Sequence, residues 1–142
     1  MVSPLYRQRV YVDTNALIYA FEAPSQYPRL QTHFLDLLTR GELTLVTSWI
    51  TFAEVLVKPL QTGNTVEEAG NRAFFAPCIH FEIRPVDQAI SNQVASLRAL
   101  HGFKLPDAIH IATGMAAGCT HYLTGDAKWT KTGLQVISAA SL

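Results

Sequence analysis

Charge is scarce in this sequence, and neither sign dominates. Only 15% of the residues are Asp, Glu, Lys or Arg, and the formal net charge at pH 7 is zero. Such a balance lacks the broad positive field of many nucleic-acid-binding domains, so any polyanion would have to be met by a local patch. The 49% share of hydrophobic residues also argues against a disordered chain.

Cysteine clusters, glycine-rich loops and long apolar runs are missing as well. Cys78 and Cys119 stand in no metal-binding spacing, which fits a reducing cytosol, although they could also form one disulfide. No glycine-rich phosphate loop is present, which argues against an NTPase. The first nine residues lack the apolar core of a signal peptide. The apolar stretch 105–123 is interrupted by Pro, Asp, His and Gly, so we expect a cytoplasmic protein without a membrane span.

The length and the hydrophobic pattern predict one α/β domain over residues 1–142. A chain of 142 residues can bury roughly 68–70% of its unfolded surface, which is enough for a proper core. Apolar stretches predict strands at 9–13, 43–47, 79–84, 121–124 and 134–137, alternating with helices. The helix after the second strand is predicted to run to about Val57 and to be stopped by Pro59. The alternation predicts a mainly parallel central sheet flanked by helices.

Four acidic residues stand alone in apolar segments. Asp13 follows the first strand, and Glu54 lies in the helix after the second strand. Asp107 begins a helix behind Pro106, and Asp126 follows strand 121–124. Each acid taken alone has an ordinary explanation: a helix cap or first-turn acid, an exposed helix stripe, or a turn.

Together, the four positions favour a shared site. Ligands of a parallel sheet bind beyond the carboxyl ends of its strands, where Asp13 and Asp126 lie. The helix start at Asp107 can open onto the same edge, and Glu54 can point back over it. Two carboxylates about 4 Å apart repel by roughly 1 kcal/mol in water and about 4 kcal/mol at an effective dielectric of 20. Either their pKa values rise or a cation neutralises them, and an all-oxygen set suits Mg²⁺ or Mn²⁺, which could activate a water for phosphodiester hydrolysis.

Basic residues flank these segments and could form a cationic rim for phosphates around the acidic centre. The alternative is that they flank apolar segments as basic residues do in any soluble protein. The residues concerned are Arg7, Arg9, Lys58, Lys104, Lys128 and Lys131.

Four segments resemble the four motifs of the PIN domain family, in order and with family-like spacing. They are Val-Asp13-Thr-Asn15-Ala-Leu, Glu54 in a helix with Ser48 near its start, Leu-Pro-Asp107-Ala-Ile-His-Ile-Ala-Thr, and Tyr-Leu-Thr124-Gly-Asp126. The resemblance covers nearly the whole chain. A chain this short is most similar to the single-domain VapC-like ribonuclease toxins of prokaryotic toxin–antitoxin pairs.

The resemblance implies a divalent-metal-dependent endoribonuclease that hydrolyses RNA phosphodiesters with a metal-activated water. It also implies a cognate antitoxin that reaches into the acidic pocket, and a homodimer. The acids that would serve as catalytic residues and as ligands of Mg²⁺ or Mn²⁺ are Asp13, Glu54, Asp107 and Asp126.

The resemblance also implies supporting roles. Asn15 and Thr124 would orient the carboxylates or a water. His110, one turn after Asp107, is expected to belong to the core or a helix face rather than to the chemistry. Family members often carry a further acid shortly after the last motif, whereas Asp126 is followed here by Ala-Lys-Trp. This departure leaves the number of metals open.

Two other functions compete with the nuclease. A PIN-like module could bind RNA or a partner without cutting, but such a module has no reason to tolerate four mutually repelling acids. A metal-dependent phosphatase of another α/β family is the second. The segment Asp13-Thr-Asn15 lacks the second aspartate, two residues on, that a haloacid-dehalogenase-like enzyme would carry.

Overall fold

The computed structural model describes residues 3–76 and 78–142, apart from the side chain of Ala127. Within these residues, one sheet contains β1 (Arg9–Val12), β2 (Thr44–Ser48), β3 (Phe81–Arg84), β4 (His121–Thr124) and β5 (Val136–Ser138). The strand order is β3-β2-β1-β4-β5, and neighbouring strands are parallel. The predicted α/β class with a parallel sheet is confirmed. The predicted domain also includes residues 1, 2 and 77, which lie outside the described residues.

Helices connect the strands and cover both faces of the sheet. A continuous helical stretch over residues 28–39 contains one π-helical segment. No helix in the described ranges combines the length and the apolar character needed to cross a membrane. The elements are α1 (Thr14–Glu22), α2 (Pro28–Leu30), the π-helix Gln31–Leu35, α3 (Asp36–Thr39), α4 (Trp49–Thr62), α5 (Thr65–Phe74), α6 (Gln88–His101), α7 (Leu105–Ala116) and the 3-10 helix Ala127–Thr132.

The prediction that Pro59 stops the helix after the second strand is wrong. Helix α4 continues to Thr62 and is capped by Gly63, whose φ of 67° lies in the left-handed region that glycine adopts readily. Proline leaves the carbonyl four residues earlier, that of Val55, without its helical donor. Asn71 Nδ2 of α5 donates a 3.0 Å hydrogen bond to this carbonyl. The helix therefore passes through proline because another helix supplies the missing donor.

Side chains of β1 alternate between two hydrophobic clusters, one on each face of the sheet. Val10 and Val12 belong to the cluster with α1 and α4, whereas Tyr11 belongs to the cluster with α6 and α7. All three side chains are fully buried. Helices thus cover both faces of the sheet. Asp13 directly follows the carboxyl end of β1.

Helix α7 packs closely against β4 at Gly114. A Cβ atom on Gly114 would overlap the ring of Tyr122, which is buried. The Tyr122 hydroxyl donates a 3.3 Å hydrogen bond to the carbonyl of Ile111. This close contact sets the position of α7, and with it the position of Asp107 in the first helical turn.

Replacing Gly114 by alanine is expected to lower the free energy of unfolding by about 1–3 kcal/mol, the usual cost of extra volume in a packed core. The matched control is Gly70→Ala in α5, because a Cβ there meets nothing within 4 Å. Alanine at position 70 should stabilise the helix by about 0.5–1 kcal/mol. Urea unfolding of both variants measures the two effects, and equal changes would contradict this account of the packing.

Candidate active site

Asp13 and Asp126 are joined through the side chain of Thr124. Asp13 is buried and caps α1, because its Oδ1 accepts a 2.8 Å hydrogen bond from the Ala16 N–H. Its Oδ2 accepts a 2.5 Å hydrogen bond from the Thr124 hydroxyl. The hydroxyl oxygen of Thr124 accepts a 3.0 Å hydrogen bond from the Asp126 N–H. The carboxyl ends of β1 and β4 therefore place the first and fourth acids side by side.

The ordinary explanations for these two acids hold as well. Asp13 is the N-cap of α1. Asp126 is the N-cap of the 3-10 helix, with its Oδ1 accepting a 2.8 Å hydrogen bond from the Lys128 N–H. Each carboxylate thus has one oxygen engaged by the backbone, which orients the side chain at the sheet edge.

Glu54 is half-buried and reaches back over the same edge. The Thr14 hydroxyl, next to Asp13 in the sequence, donates a 2.6 Å hydrogen bond to Glu54 Oε1. His110 Nε2 lies 3.2 Å from the same oxygen. The hydrogen bond with His110 is the largest cause that lowers the pKa of Glu54, and burial opposes it. These contacts with α1 and α7 contradict the alternative that Glu54 lies on an exposed stripe.

Asp107 lies in the first turn of α7 and is electrostatically linked to the other acids. Burial raises the pKa of Asp107, the charge of Asp126 raises it further, and Glu54 acts in the same direction. The pKa of Asp13 is also raised, mainly by burial, with a smaller contribution from Asp107. Ionisation is therefore costly for Asp13 and Asp107, whereas the contacts of Glu54 favour its ionised form.

Trp129 lies beneath this cluster. Its side chain is fully buried, and its ring lies 6.0 Å from the ring of His110 at an interplanar angle of 26°. Among the described residues, the indole N–H has no partner in a well-formed hydrogen bond. The N–H is nevertheless close enough to Asp107 to oppose the rise in the pKa of that carboxyl.

The acids fit a hard divalent cation, although they do not form a ready-made cluster. Within 3–76 and 78–142, no three His, Cys, Asp or Glu side chains are grouped so that they could hold a metal ion. Mg²⁺ needs fewer protein ligands, because it keeps several bound waters and often takes only one or two carboxylates. The oxygen donors suit such an ion, and a cation would offset the raised pKa values of Asp13 and Asp107.

The structure removes two residues from the suggested cationic rim. Arg7 and Arg9 lie before or at the start of β1, at the opposite end of the strand from Asp13. The Arg9 guanidinium donates hydrogen bonds of 2.8 and 2.6 Å to the Glu82 carboxylate. Its Nε donates a third, of 2.6 Å, to the carbonyl of Ala117. Arg9 therefore ties the amino end of the sheet together instead of facing the acids.

The remaining site predictions have mixed outcomes. Thr124 contacts both acids of its pair, as described above. Asn15 lies in the first turn of α1 with an exposed side chain, and its role in orienting a carboxylate or water stays a prediction. His110 is buried, as expected of a core residue, yet it also contacts Glu54.

Sequence reasoning missed Tyr11, Thr14 and Trp129. Thr14 lies inside the Asp-Thr-Asn motif, so a hydroxyl next to a candidate ligand was a usable signal. Nothing local marked Tyr11 or Trp129, because a buried aromatic residue in a strand or short helix is ordinary core. Their relation to the site depends on contacts between distant parts of the chain.

Comparisons with known proteins found matches to the sequence and to the fold. A family model described as PIN domain matches residues 10–134. The fold is similar to that in a toxin–antitoxin complex from Klebsiella pneumoniae, with a TM-score of 0.71, 23% identity, and coverage of 94% of this chain and 99% of that chain. It is similar to FitAcB from Neisseria gonorrhoeae, with a TM-score of 0.70, 21% identity, and coverage of 94% and 99%.

A third similar structure is VapC20 from Mycobacterium tuberculosis, a sarcin-ricin loop cleaving toxin. Its TM-score is 0.64 at 16% identity, with coverage of 88% of this chain and 95% of that chain. No curated protein matches this sequence. At these identities the structural likeness demonstrates a shared fold.

Replacing Asp107 by asparagine is expected to stabilise the metal-free protein at neutral pH. Because the pKa of Asp107 is higher in the folded state, the ionised carboxylate costs stability above that folded pKa. The cost disappears below the unfolded value of about 3.9. We expect the free energy of unfolding to rise by about 0.5–1 kcal/mol at pH 7, as for other partly solvated charges, and the gain to vanish near pH 3.

Urea unfolding in the presence of chelator measures this gain across the pH range. The control is Asp36→Asn, which removes an exposed acid from the first turn of α3. A gain of the same size in the control, or no gain at position 107, would contradict repulsion within the acidic cluster.

Proposed function

Because this chain belongs to the PIN domain family, we propose that it is a divalent-metal-dependent endoribonuclease and the toxin of a toxin–antitoxin pair. The observation that carries the proposal is the convergence of four acids from four segments on the carboxyl edge of the sheet. Hydroxyl donors hold two of these acids, through the Thr124–Asp13 and Thr14–Glu54 hydrogen bonds. This arrangement is suited to holding a cation and a phosphate at one place.

The acids would share the binding of Mg²⁺ or Mn²⁺. When bound, the ion would supply a polarised water for attack on phosphorus and would neutralise charge on the phosphate oxygens. The chain's own contribution is to direct the carboxylates. Thr124 holds one oxygen of Asp13 towards β4, while Thr14 holds one oxygen of Glu54 towards α1. The exposed Asn15 is available to orient a water or a phosphate oxygen.

The proposed partners follow from the open acidic edge and from the similar structures. The Klebsiella pneumoniae structure is a toxin–antitoxin complex, and VapC20 is a sarcin-ricin loop cleaving toxin. We extend both roles to this chain: RNA as substrate, and a cognate antitoxin whose basic side chain would neutralise the acids in place of the metal.

A homodimer and a cytoplasmic location belong to the same proposal. The free thiols of Cys78 and Cys119 are consistent with a reducing compartment.

One observation favours a module that binds without cutting. In the part of the chain that the structure describes, three metal-ligating side chains are not grouped. The raised pKa values of Asp13 and Asp107 favour the nuclease, because a binding surface gains nothing from buried, repelling carboxylates. Cleavage assays separate the two functions directly.

We expect the purified protein to cleave at least one RNA in a pool of structured RNAs when Mg²⁺ or Mn²⁺ is present. Cleavage should stop with chelator and should fall by at least about 100-fold in Asp13→Asn, since loss of a ligand should exceed the 10–100-fold effect of changing a supporting group. Gel analysis of end-labelled RNA measures the rates. Cleavage without metal, or an Asp13→Asn variant as active as wild type, would contradict the proposed site.

Thr124 offers a sharper comparison in the same assay. Thr124→Val removes the hydroxyl that joins Asp13 to Asp126 but keeps the shape of the side chain, and should lower the rate by about 10–100-fold. Thr124→Ser keeps the hydroxyl and serves as the matched control, with a rate near that of wild type. Equal rates for the two variants would show that the bridge has no role in the chemistry.

Expression of the protein in bacterial cells is expected to arrest growth, because an endoribonuclease toxin removes RNA that translation requires. Coexpression of the product of an adjacent gene should restore growth if that product is the antitoxin. Colony counts measure both effects, with Asp107→Asn expressed at the same level as a control. Normal growth with protein that is active in the cleavage assay would contradict the toxin role.

A further inference from the structure

A buried chain of polar groups runs from the centre of the sheet to Glu54. Tyr11 on β1 is fully buried, and His110 on α7 is 3% exposed. The Tyr11 hydroxyl lies 2.6 Å from His110 Nδ1, and His110 Nε2 lies 3.2 Å from Glu54 Oε1. Three elements far apart in the sequence therefore contribute to one chain of contacts that ends at a candidate ligand.

The contacts of the imidazole indicate where its hydrogen lies. Nε2 of His110 lies beside Glu54 Oε1, and an ionised carboxylate can only accept hydrogen bonds. Nε2 is therefore the nitrogen that needs the hydrogen. With a hydrogen on Nε2, a neutral ring presents Nδ1 as an acceptor, and the phenol hydroxyl, 2.6 Å away, donates to it.

Two aromatic rings surround the imidazole, and its hydrogen bonds favour one of its two orientations. The ring of His110 lies 5.7 Å from the ring of Tyr11 and 6.0 Å from the ring of Trp129. Half a turn of the imidazole about its Cβ–Cγ bond would exchange each nitrogen for a carbon atom. Both hydrogen bonds would then be lost in a buried place, where unpaired polar groups are costly. The orientation is therefore strongly favoured before any cation binds.

We propose that His110 is a positioning residue, held by Tyr11 as the Nε2–H tautomer, and that it directs the Glu54 carboxylate towards the cation site. The inference rests on the proposed function in one respect, because it takes Glu54 as a metal ligand. His110 and Thr14 donate to the same oxygen, Oε1. The two donors thereby limit rotation of the carboxylate and leave its other oxygen, Oε2, outside both hydrogen bonds.

The tautomer can be measured in the metal-free, full-length protein. Long-range ¹H–¹⁵N correlation spectra of histidine rings distinguish an acceptor nitrogen from an N–H nitrogen, and a His110→Gln variant identifies the signals of His110 among the five histidines. We expect Nδ1 to show the shift of an acceptor and Nε2 the shift of an N–H. An Nδ1–H tautomer or an imidazolium ion at pH 7 would overturn the proposal.

Tyr11→Phe tests whether the phenol holds the tautomer, because it removes the hydroxyl alone. We expect the ring signals of His110 to report a mixture of tautomers. The Kd for Mn²⁺, measured by electron paramagnetic resonance, should rise about tenfold, the usual effect of removing a group that orients a ligand. Wild-type affinity together with the wild-type tautomer in this variant would overturn the proposal.

Tyr122→Phe is the matched control. Tyr122 is also buried, lies on the neighbouring strand, and has its ring 5.8 Å from that of Tyr11. Its hydroxyl donates to the carbonyl of Ile111 instead of contacting His110. The control should lose a similar buried hydrogen bond but keep the His110 tautomer and the Mn²⁺ affinity. An equal loss of affinity in both variants would assign the effect to general packing and overturn the proposal.

The two possible failures are distinguishable. A wild-type chain that binds no Mn²⁺ would overturn the proposed function, and with it the part of this inference that concerns the cation. A wild-type chain that binds Mn²⁺ while Tyr11→Phe binds it equally well would overturn only the positioning role. Circular dichroism of each variant confirms that the fold is retained before affinities are compared.

Discussion

Electrostatic repulsion among carboxylates at one edge of the sheet is the constraint on which the site depends. Burial and neighbouring charges raise the pKa values of Asp13 and Asp107, so the metal-free protein carries these groups at a cost. Fixed donors stabilise two of the carboxylates: the Thr124 hydroxyl donates to Asp13, and the Thr14 hydroxyl donates to Glu54. A divalent cation would remove most of the remaining repulsion. The same groups that lower stability thus create affinity for a cation.

The parallel sheet makes this concentration of charge feasible. Strand β1 lies between β2 and β4, so three carboxyl ends meet while helices shield both faces. The position of α7 brings the remaining acid to the same edge, and the contact between Gly114 and Tyr122 sets how closely that helix approaches. The core and the candidate site are therefore not independent. A change in the packing of α7 moves both Asp107 and His110.

Two local patterns were misleading, for the same physical reason. Pro59 ordinarily ends a helix, but Asn71 of another helix supplies the hydrogen bond that proline removes from Val55. Arg9 is near Asp13 in sequence, but an extended strand separates them by about 3.3 Å per residue, and Glu82 on a strand two positions away in the sheet holds the guanidinium. In both cases a partner distant in sequence decided the outcome.

Local sequence by itself determined the alternation of strands and helices, the parallel sheet, and the carboxyl-edge placement of Asp13 and Asp126. These features depend on hydrophobic periodicity and on chain direction, which can be read from neighbouring residues. Tertiary structure alone decided that Tyr11, His110 and Glu54 form one buried chain of contacts. Such a chain joins a strand to two helices. Its hydrogen bonds exist only after packing has fixed the distances, and no local pattern records those distances.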